Sequence, residues 1–434
     1  MDRRAFLMLT LAGIADPGSP VPNVAPTTAA APQSGAAQML VSTVDTPFEA
    51  WMRDYMQRAV ARGLPADVLR REFAGLTPDP DVVGFDGRQA EFSKPIGDYV
   101  RAAVSDARLA TARKRLAGLP DLPKIVQTYG VPGEVLVAIW AMESGFGAIQ
   151  GNKDVARSLA SLASAGRRRS WAESQLDDVI RIIASGKAAR DQLKGSWAGA
   201  MGQTQMEPSE YLHYAVDGDG DGRADIWGSA EDALASAAHL LAHDGWRRGE
   251  PWDREVLLRP GFDYGLAEGP SQTPIDWAAI GASRADGRDW GGGESLLPAQ
   301  LVLPAGAEGP AFLTFPNHMV IRQYNNSIAY ALSVGLFADR LEGEGPLVTP
   351  WPHETPMSLA DRLDAQNALA RLGFYTGTVD AMIGLNTRVA LRAWQKARGL
   401  PADGHLTGDL LGRLRSEAAG LGTTTDTPPG PYRP

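Results

Sequence analysis

Residues 131–152 read VPGEVLVAIWAMESGFGAIQGN. Pro132 stands where a first-turn proline is tolerated, because the N–H it lacks would have no intrahelical partner. Residues 135–142 are almost wholly apolar and predict a buried helix of about three turns, closed by Gly145 and Gly147. One carboxylate interrupts the run, Glu143. Helical spacing puts Leu136, Ile139 and Trp140 on its face. Its place in the last turn opposes the helix dipole. Both effects push its pKa upward, and a carboxyl group still protonated near neutrality is suited to act as a general acid. A single Glu near a helix end is more commonly a solvated surface group, so the rest of the chain has to decide.

The chain has 434 residues, room for a large core and more than one domain. Its hydrophobic fraction, 44%, is that of a soluble globular protein. A net charge of −9 argues against nucleic acid or an anionic membrane surface as the main partner and leaves a neutral sugar polymer open. Cysteine is absent, which excludes disulfides, thiolate metal sites and lipid-modified cysteine. Arg3 and Arg4 precede a short apolar run, residues 6–15, too short to span a bilayer. The pattern reads as a secretory signal and resembles a twin-arginine signal. No later run is long enough to cross a membrane, so no integral segment is expected in the mature chain.

Residues 16–45, rich in Pro, Ala, Ser and Thr, read as a tether, so that 1–45 form signal and tether together. Phe48, Trp51, Met52, Tyr55, Met56 and Ala59 recur at helical steps, and Gly63 ends that helix. Further helices are expected from Leu64, between Asp86 and Leu116, and from Pro123. Residues 167–193 look helical and begin with Arg167, Arg168 and Arg169. The segment 196–211, SWAGAMGQTQMEPSEY, allows close backbone approach. Its Trp197, Gln203 and Gln205 suit sugars, with a ring to stack on and amides to bond hydroxyls.

In DGDGDGRAD, residues 217–225, Asp217, Asp219, Asp221 and Asp225 fall at positions 1, 3, 5 and 9 of a calcium loop, with Gly222 at the sharp turn. Position 12 is Gly228, so Glu231 or Asp232 would have to close the site. Asp232 alternatively forms a capping box with Ser229. Residues 245–320 show little periodicity and predict loops and short elements. Residues 322–341 predict one strong helix, with Asn326 as a candidate cap. Prolines 346, 350, 352 and 356 mark residues 343–356 as an interdomain linker. Beyond it three short helices are expected: one from Ser358, one burying Val389, Ala393, Trp394 and Ala397, and one over residues 407–414. Residues 416–434 read as a disordered tail.

On these motifs residues 46–342 resemble the catalytic domain of the B-type lytic murein transglycosylases, which cleave bacterial peptidoglycan. The resemblance rests on AMESGFG (141–147), GSWAGAMGQTQ (195–205), the aspartate loop and Tyr324-Asn325-x-Ser327. Residues 357–415 resemble the three-helix peptidoglycan-binding domain through Ala365-Gln366-x-x-Leu369, Leu372-Gly373-Phe374-Tyr375 and Asp380-x-x-x-Gly384. The implied fold is mainly α, a lysozyme-like helical domain followed by a small three-helix domain.

The resemblance also implies roles. Glu143 matches the catalytic acid and base. Ser196, Gln205, Asn325 and Tyr330 match residues around the reacting sugar, and Arg167 and Arg168 a pair in the substrate groove. Asp217, Asp219, Asp221 and Asp232 match a loop holding a structural Ca2+. No organic cofactor is expected. The implied partner is the peptidoglycan glycan strand, and the location the periplasm. The implied reaction breaks the β-1,4 bond between N-acetylmuramic acid and N-acetylglucosamine and leaves a 1,6-anhydromuramyl end. Two other readings stay open: a water-using muramidase with Glu207 as a second carboxylate, and a non-catalytic wall-binding scaffold.

Overall fold

Helices dominate the chain because its longest regular stretches carry apolar residues at steps of three and four. A computed structural model describes residues 46–86, 94–166 and 168–421. The signal, the tether and most of the tail lie outside these, as does Arg167. Seventeen α-helices are present among the described residues. The first, Pro47–Ala61, opens with a capping box between Thr46 and Glu49 and buries Phe48, Trp51, Tyr55 and Ala59. Met52 and Met56 lie partly buried at its edge. It is latched to helix Arg169–Ala184. There Trp51 Nε1 donates to Glu173 and Tyr55 Oη to Asp177, while Arg58 and Arg62 pair with the same two acids. That second helix stops at Ala184, nine residues before the expected end.

The central helix is Gly133–Ser144. Every residue from Val135 to Ser144 is buried, so it is enclosed on all sides rather than along one stripe. Gly145, at φ 58°, ends it in the left-handed region. Helices Ile328–Glu342, Asp106–Leu116 and Ala230–His243 pack around it.

One expectation fails within the main domain, and another takes a definite form. The helix foreseen over 322–341 is two helices, Pro316–Tyr324 and Ile328–Glu342, separated at residues 325–327. Ser327, not Asn326, caps the second, its side chain accepting from Tyr330 N. The aperiodic region holds a four-stranded antiparallel sheet in the order Ala282–Arg284, Asp253–Leu258, Ala311–Thr314, Gln300–Val302. Its own core contains Val256, Phe262, Trp277, Leu301, Leu313 and Phe315.

The C-terminal helices are Leu359–Arg371, Leu385–Ala397 and Gly408–Gly420, around a third core centred on Leu369, Leu391, Trp394 and Leu414. The capping box of Ser358 and Asp361 forms as its spacing implies. The middle helix is phased differently from expectation. Trp394 is buried, but Val389, Ala393 and Ala397 are exposed, and Ala390 and Leu391 fill the core instead. The third helix runs to Gly420, well beyond residue 414. Among the described residues no single helix is long and apolar enough to cross a membrane.

Candidate active site

Glu143 lies in the last turn of the central helix and is 5% exposed. Tyr330, one turn into the helix that Ser327 caps, donates its hydroxyl to Glu143 Oε1 at 2.6 Å. Burial and the adjacent Glu143 hold the Tyr330 pKa well above that of a free phenol, so this group remains a donor. Arg108 caps the same helix end by donating to Ala141 O at 2.7 Å.

The backbone beyond Glu143 is unusual. Gly145, Phe146 and Gly147 all have positive φ, 58°, 64° and 82°. Phe146 is a non-glycine residue in that region, a conformation the surroundings must impose. Its N–H bonds Trp140 O, and its ring meets Trp140 edge-on with centroids 5.6 Å apart. A Cβ at Gly147 would stand 2.5 Å from Gln203 Oε1, so only glycine fits.

Three hydrogen bonds tie the motifs together. Ser144 Oγ donates to Gln203 O, Tyr324 Oη donates to Thr204 O, and Tyr330 Oη donates to Glu143. The 195–206 segment is a tight hairpin-like fold with bridges Gly195–Met201 and Met201–Met206. Ser196 Oγ accepts from Ala198 N and Ala200 N. Gln205 has φ 52°, and its Nε2 donates to Gln150 O and Gly202 O. Asn325 sits in the break between the two late helices, 3% exposed, with Oδ1 buried and no hydrogen-bond partner among the described residues.

Gln203 and Trp197 are not open sugar-binding groups. Gln203 is 6% exposed, accepts from Trp140 Nε1 and donates to Trp227 O, and Trp197 is 8% exposed. Arg168 begins helix Arg169–Ala184 with its guanidinium carbon 4.1 Å from the Trp171 ring centroid. Glu207 caps helix Pro208–Tyr214 in a box with Glu210, and its Oε2 accepts from Gln175.

In the aspartate loop, ligand oxygens of Asp217, Asp219, Asp221 and Asp232 all lie within 4.8 Å of one another. Two oxygens on opposite sides of a calcium ion stand about 5 Å apart, so the set fits one hard cation. Asp232 is fully buried, and its carboxylate turns toward the loop, accepting from Gly218 N, Asp219 N and Asp225 N. Ser229 still caps the helix through its own hydroxyl, so the expected box is only half formed. Asp225 is not in the cluster. Its Oδ1 accepts from Trp227 N and Gly228 N, and a Cβ at Gly228 would meet its Oδ2 at 2.5 Å.

Arg108 and Gln150 escaped sequence reasoning. Neither belongs to a periodic pattern: Arg108 donates to the distant backbone of Ala141, and the backbone oxygen of Gln150 accepts from Gln205 Nε2.

The transglycosylase SLT domain family matches residues 47–339, and the putative peptidoglycan binding domain family matches 358–414. SltB3 from Pseudomonas aeruginosa, solved in complex with NAG-anhNAM-pentapeptide, is 46% identical. The match covers 85% of this chain and 99% of that one at a TM-score of 0.80. Soluble lytic transglycosylase SltB1 from the same organism is 26% identical over 68% of this chain and 100% of that one, with a TM-score of 0.61. Membrane-bound lytic murein transglycosylase B of Escherichia coli (strain K12) is 31% identical over 209 residues, 48% of this chain. The chain thus spans little more than half of that relative's length, 56%.

Proposed function

Because this chain belongs to the transglycosylase SLT domain family, we propose that it is a lytic transglycosylase cleaving peptidoglycan glycan strands between N-acetylmuramic acid and N-acetylglucosamine. The observation that carries this reading is one enclosed carboxyl group, Glu143, with a phenol hydroxyl 2.6 Å from it.

Protonated Glu143 gives its proton to the glycosidic oxygen. The C1–O bond breaks through an oxocarbenium-like state. The resulting carboxylate takes the proton of the muramyl C6 hydroxyl as that oxygen bonds to C1. The product carries a 1,6-anhydro ring, and Glu143 regains its proton without water being consumed. The nucleophile belongs to the substrate, so its effective concentration is high. Burial disfavours the charged carboxylate, while the Tyr330 hydroxyl favours it. These opposed pulls let one group act first as acid and then as base. Asn325 Oδ1 offers an acceptor suited to the N–H of an acetamido group. As the resemblance implies, Ser196, Gln205, Arg167 and Arg168 would contact the substrate.

Glu207 is a poor second carboxylate, because the helix cap and Gln175 already occupy it. Mass spectrometry of digested sacculi checks the reaction: anhydromuramyl ends are expected, and reducing ends alone would mean hydrolysis. Asp217, Asp219, Asp221 and Asp232 would hold a structural Ca2+ that draws the loop onto helix Ala230–His243. Thorough chelation is expected to lower the melting temperature by several degrees, with recovery on adding Ca2+. Action on peptidoglycan fits a periplasmic location, with residues 1–45 as the exported leader. Secretion of a reporter fused behind residues 1–45 checks that location.

A further inference from the structure

A buried ion cluster fixes the small C-terminal domain to the sheet region. Glu268 receives Arg388 at 2.9 Å and Arg392 at 2.6 Å, and the three side chains are 8%, 11% and 9% exposed. Arg388 also donates to Leu303 O, and Asp403 accepts from Ala307 N at 2.9 Å. The approach is so close at Gly306 that an added Cβ would lie 2.7 Å from both Asp403 and His405. The linker is part of the same junction. Glu255 accepts from Val348 N and Thr349 N, and Glu354 pairs with His405.

Where these pieces meet is a cleft of about 740 Å³. Its walls come from the 304–308 turn, the linker and the 400–410 loop of the small domain. Among the described residues no Trp, Tyr or Phe lines it, so these walls offer no such face for a sugar ring to stack on. Its exposed charges are of both signs, Lys94 against Glu308 and Asp409, while Arg388 and Glu354 are already paired with Glu268 and His405. Prolines 95, 304, 352 and 401 stiffen its rim. Such a lining suits a peptide bearing ammonium and carboxylate groups better than a neutral glycan.

We propose that this cleft binds the stem peptide of peptidoglycan, and that Glu268 builds the site by fixing one wall against the other. The small domain alone carries only half of it. The identity of the peptide rests on the reading of the polymer given above.

The test uses the full chain carrying Glu143→Gln and titrates it calorimetrically with the free tetrapeptide stem. Binding at one site is expected. Charge reversal of two exposed lining residues on opposite domains, Glu308→Lys with Asp409→Lys, should weaken it at least tenfold. Glu268→Ala should weaken it similarly, and the exposed pair tests the site even if that buried variant is unstable. A peptide-free N-acetylglucosamine tetramer should not compete. Absence of peptide binding, unchanged affinity in the charge-reversed protein, or competition by the tetramer would each overturn the proposal. Anhydro products from sacculi alongside absent peptide binding would reject this site and leave the catalytic reading standing.

Discussion

Glu143, the proposed acid and base, has the Tyr330 hydroxyl 2.6 Å from its carboxylate, so single atoms carry testable weight. Replacing Glu143 by Gln keeps its shape and removes the proton, and turnover should fall by about 10²–10⁴. Tyr330→Phe removes a hydrogen bond to the ionised form, worth about 1.5–3 kcal/mol. Ionisation of Glu143 then becomes harder, so the alkaline limb of the pH–rate profile should move up by one unit or more. A profile that keeps its position would make Tyr330 a packing residue. Glu143 could be read in the sequence because one charge within eight apolar residues stands out. Resemblance placed Tyr330 near the reacting sugar, but its pairing with Glu143, 187 residues away, follows only from the fold. Asn325 and Gln205 were legible through resemblance, but their geometry follows from a helix break and a left-handed backbone that no periodicity announces.

Among elements, helix Ile328–Glu342 connects the site to the sheet. At its C-terminal end Asp339 accepts from Trp252 Nε1 at 3.0 Å, and Asp253 of strand Asp253–Leu258 is buried nearby. Burial pushes Asp339 up to about 7 and Asp253 well above its ordinary value, with Glu342 and Glu344 adding repulsion and Arg254 opposing it. A free Asp titrates near 4, so between about pH 4 and 7 the folded state binds more protons than the unfolded one. Stability attributable to this group therefore falls as pH rises through that window. Asp339→Asn should raise the melting temperature at pH 8 and change it little at pH 4.5, a difference on the order of a few kcal/mol. Thermal melts at the two pH values check it. Long helices with strong periodicity were recoverable from sequence. The sheet was not, because strands of three to six residues are too short to display alternation. The phase of helix Leu385–Ala397 was misjudged because its arginines at 388 and 392 face protein rather than water.

At the scale of the molecule, the prolines of residues 343–356 mark an interdomain linker but say nothing of where it docks. In the fold Trp351 packs against Gly97 and Phe312, and Glu255 grips two linker amides. Residues 343–356 should therefore resist limited proteolysis, and Glu255→Ala should make them cleavable at lower protease concentration while the three cores stay folded. Equal cutting of both proteins would mean the strap is not held in solution. The deeper reason is that proline content reports stiffness, whereas docking depends on acceptors supplied elsewhere in the chain.

The paired arginines over Glu268 bear on how such proteins can be recombined. Grafting in a C-terminal module from another chain would replace Arg388 and Arg392 while Glu268 remained, stranding a buried anion at the junction. Losing the partners of a buried ion typically costs about 3–5 kcal/mol. Exchange of the module is thus not free, and a working hybrid has to bring its own cations or change residue 268 at the same time.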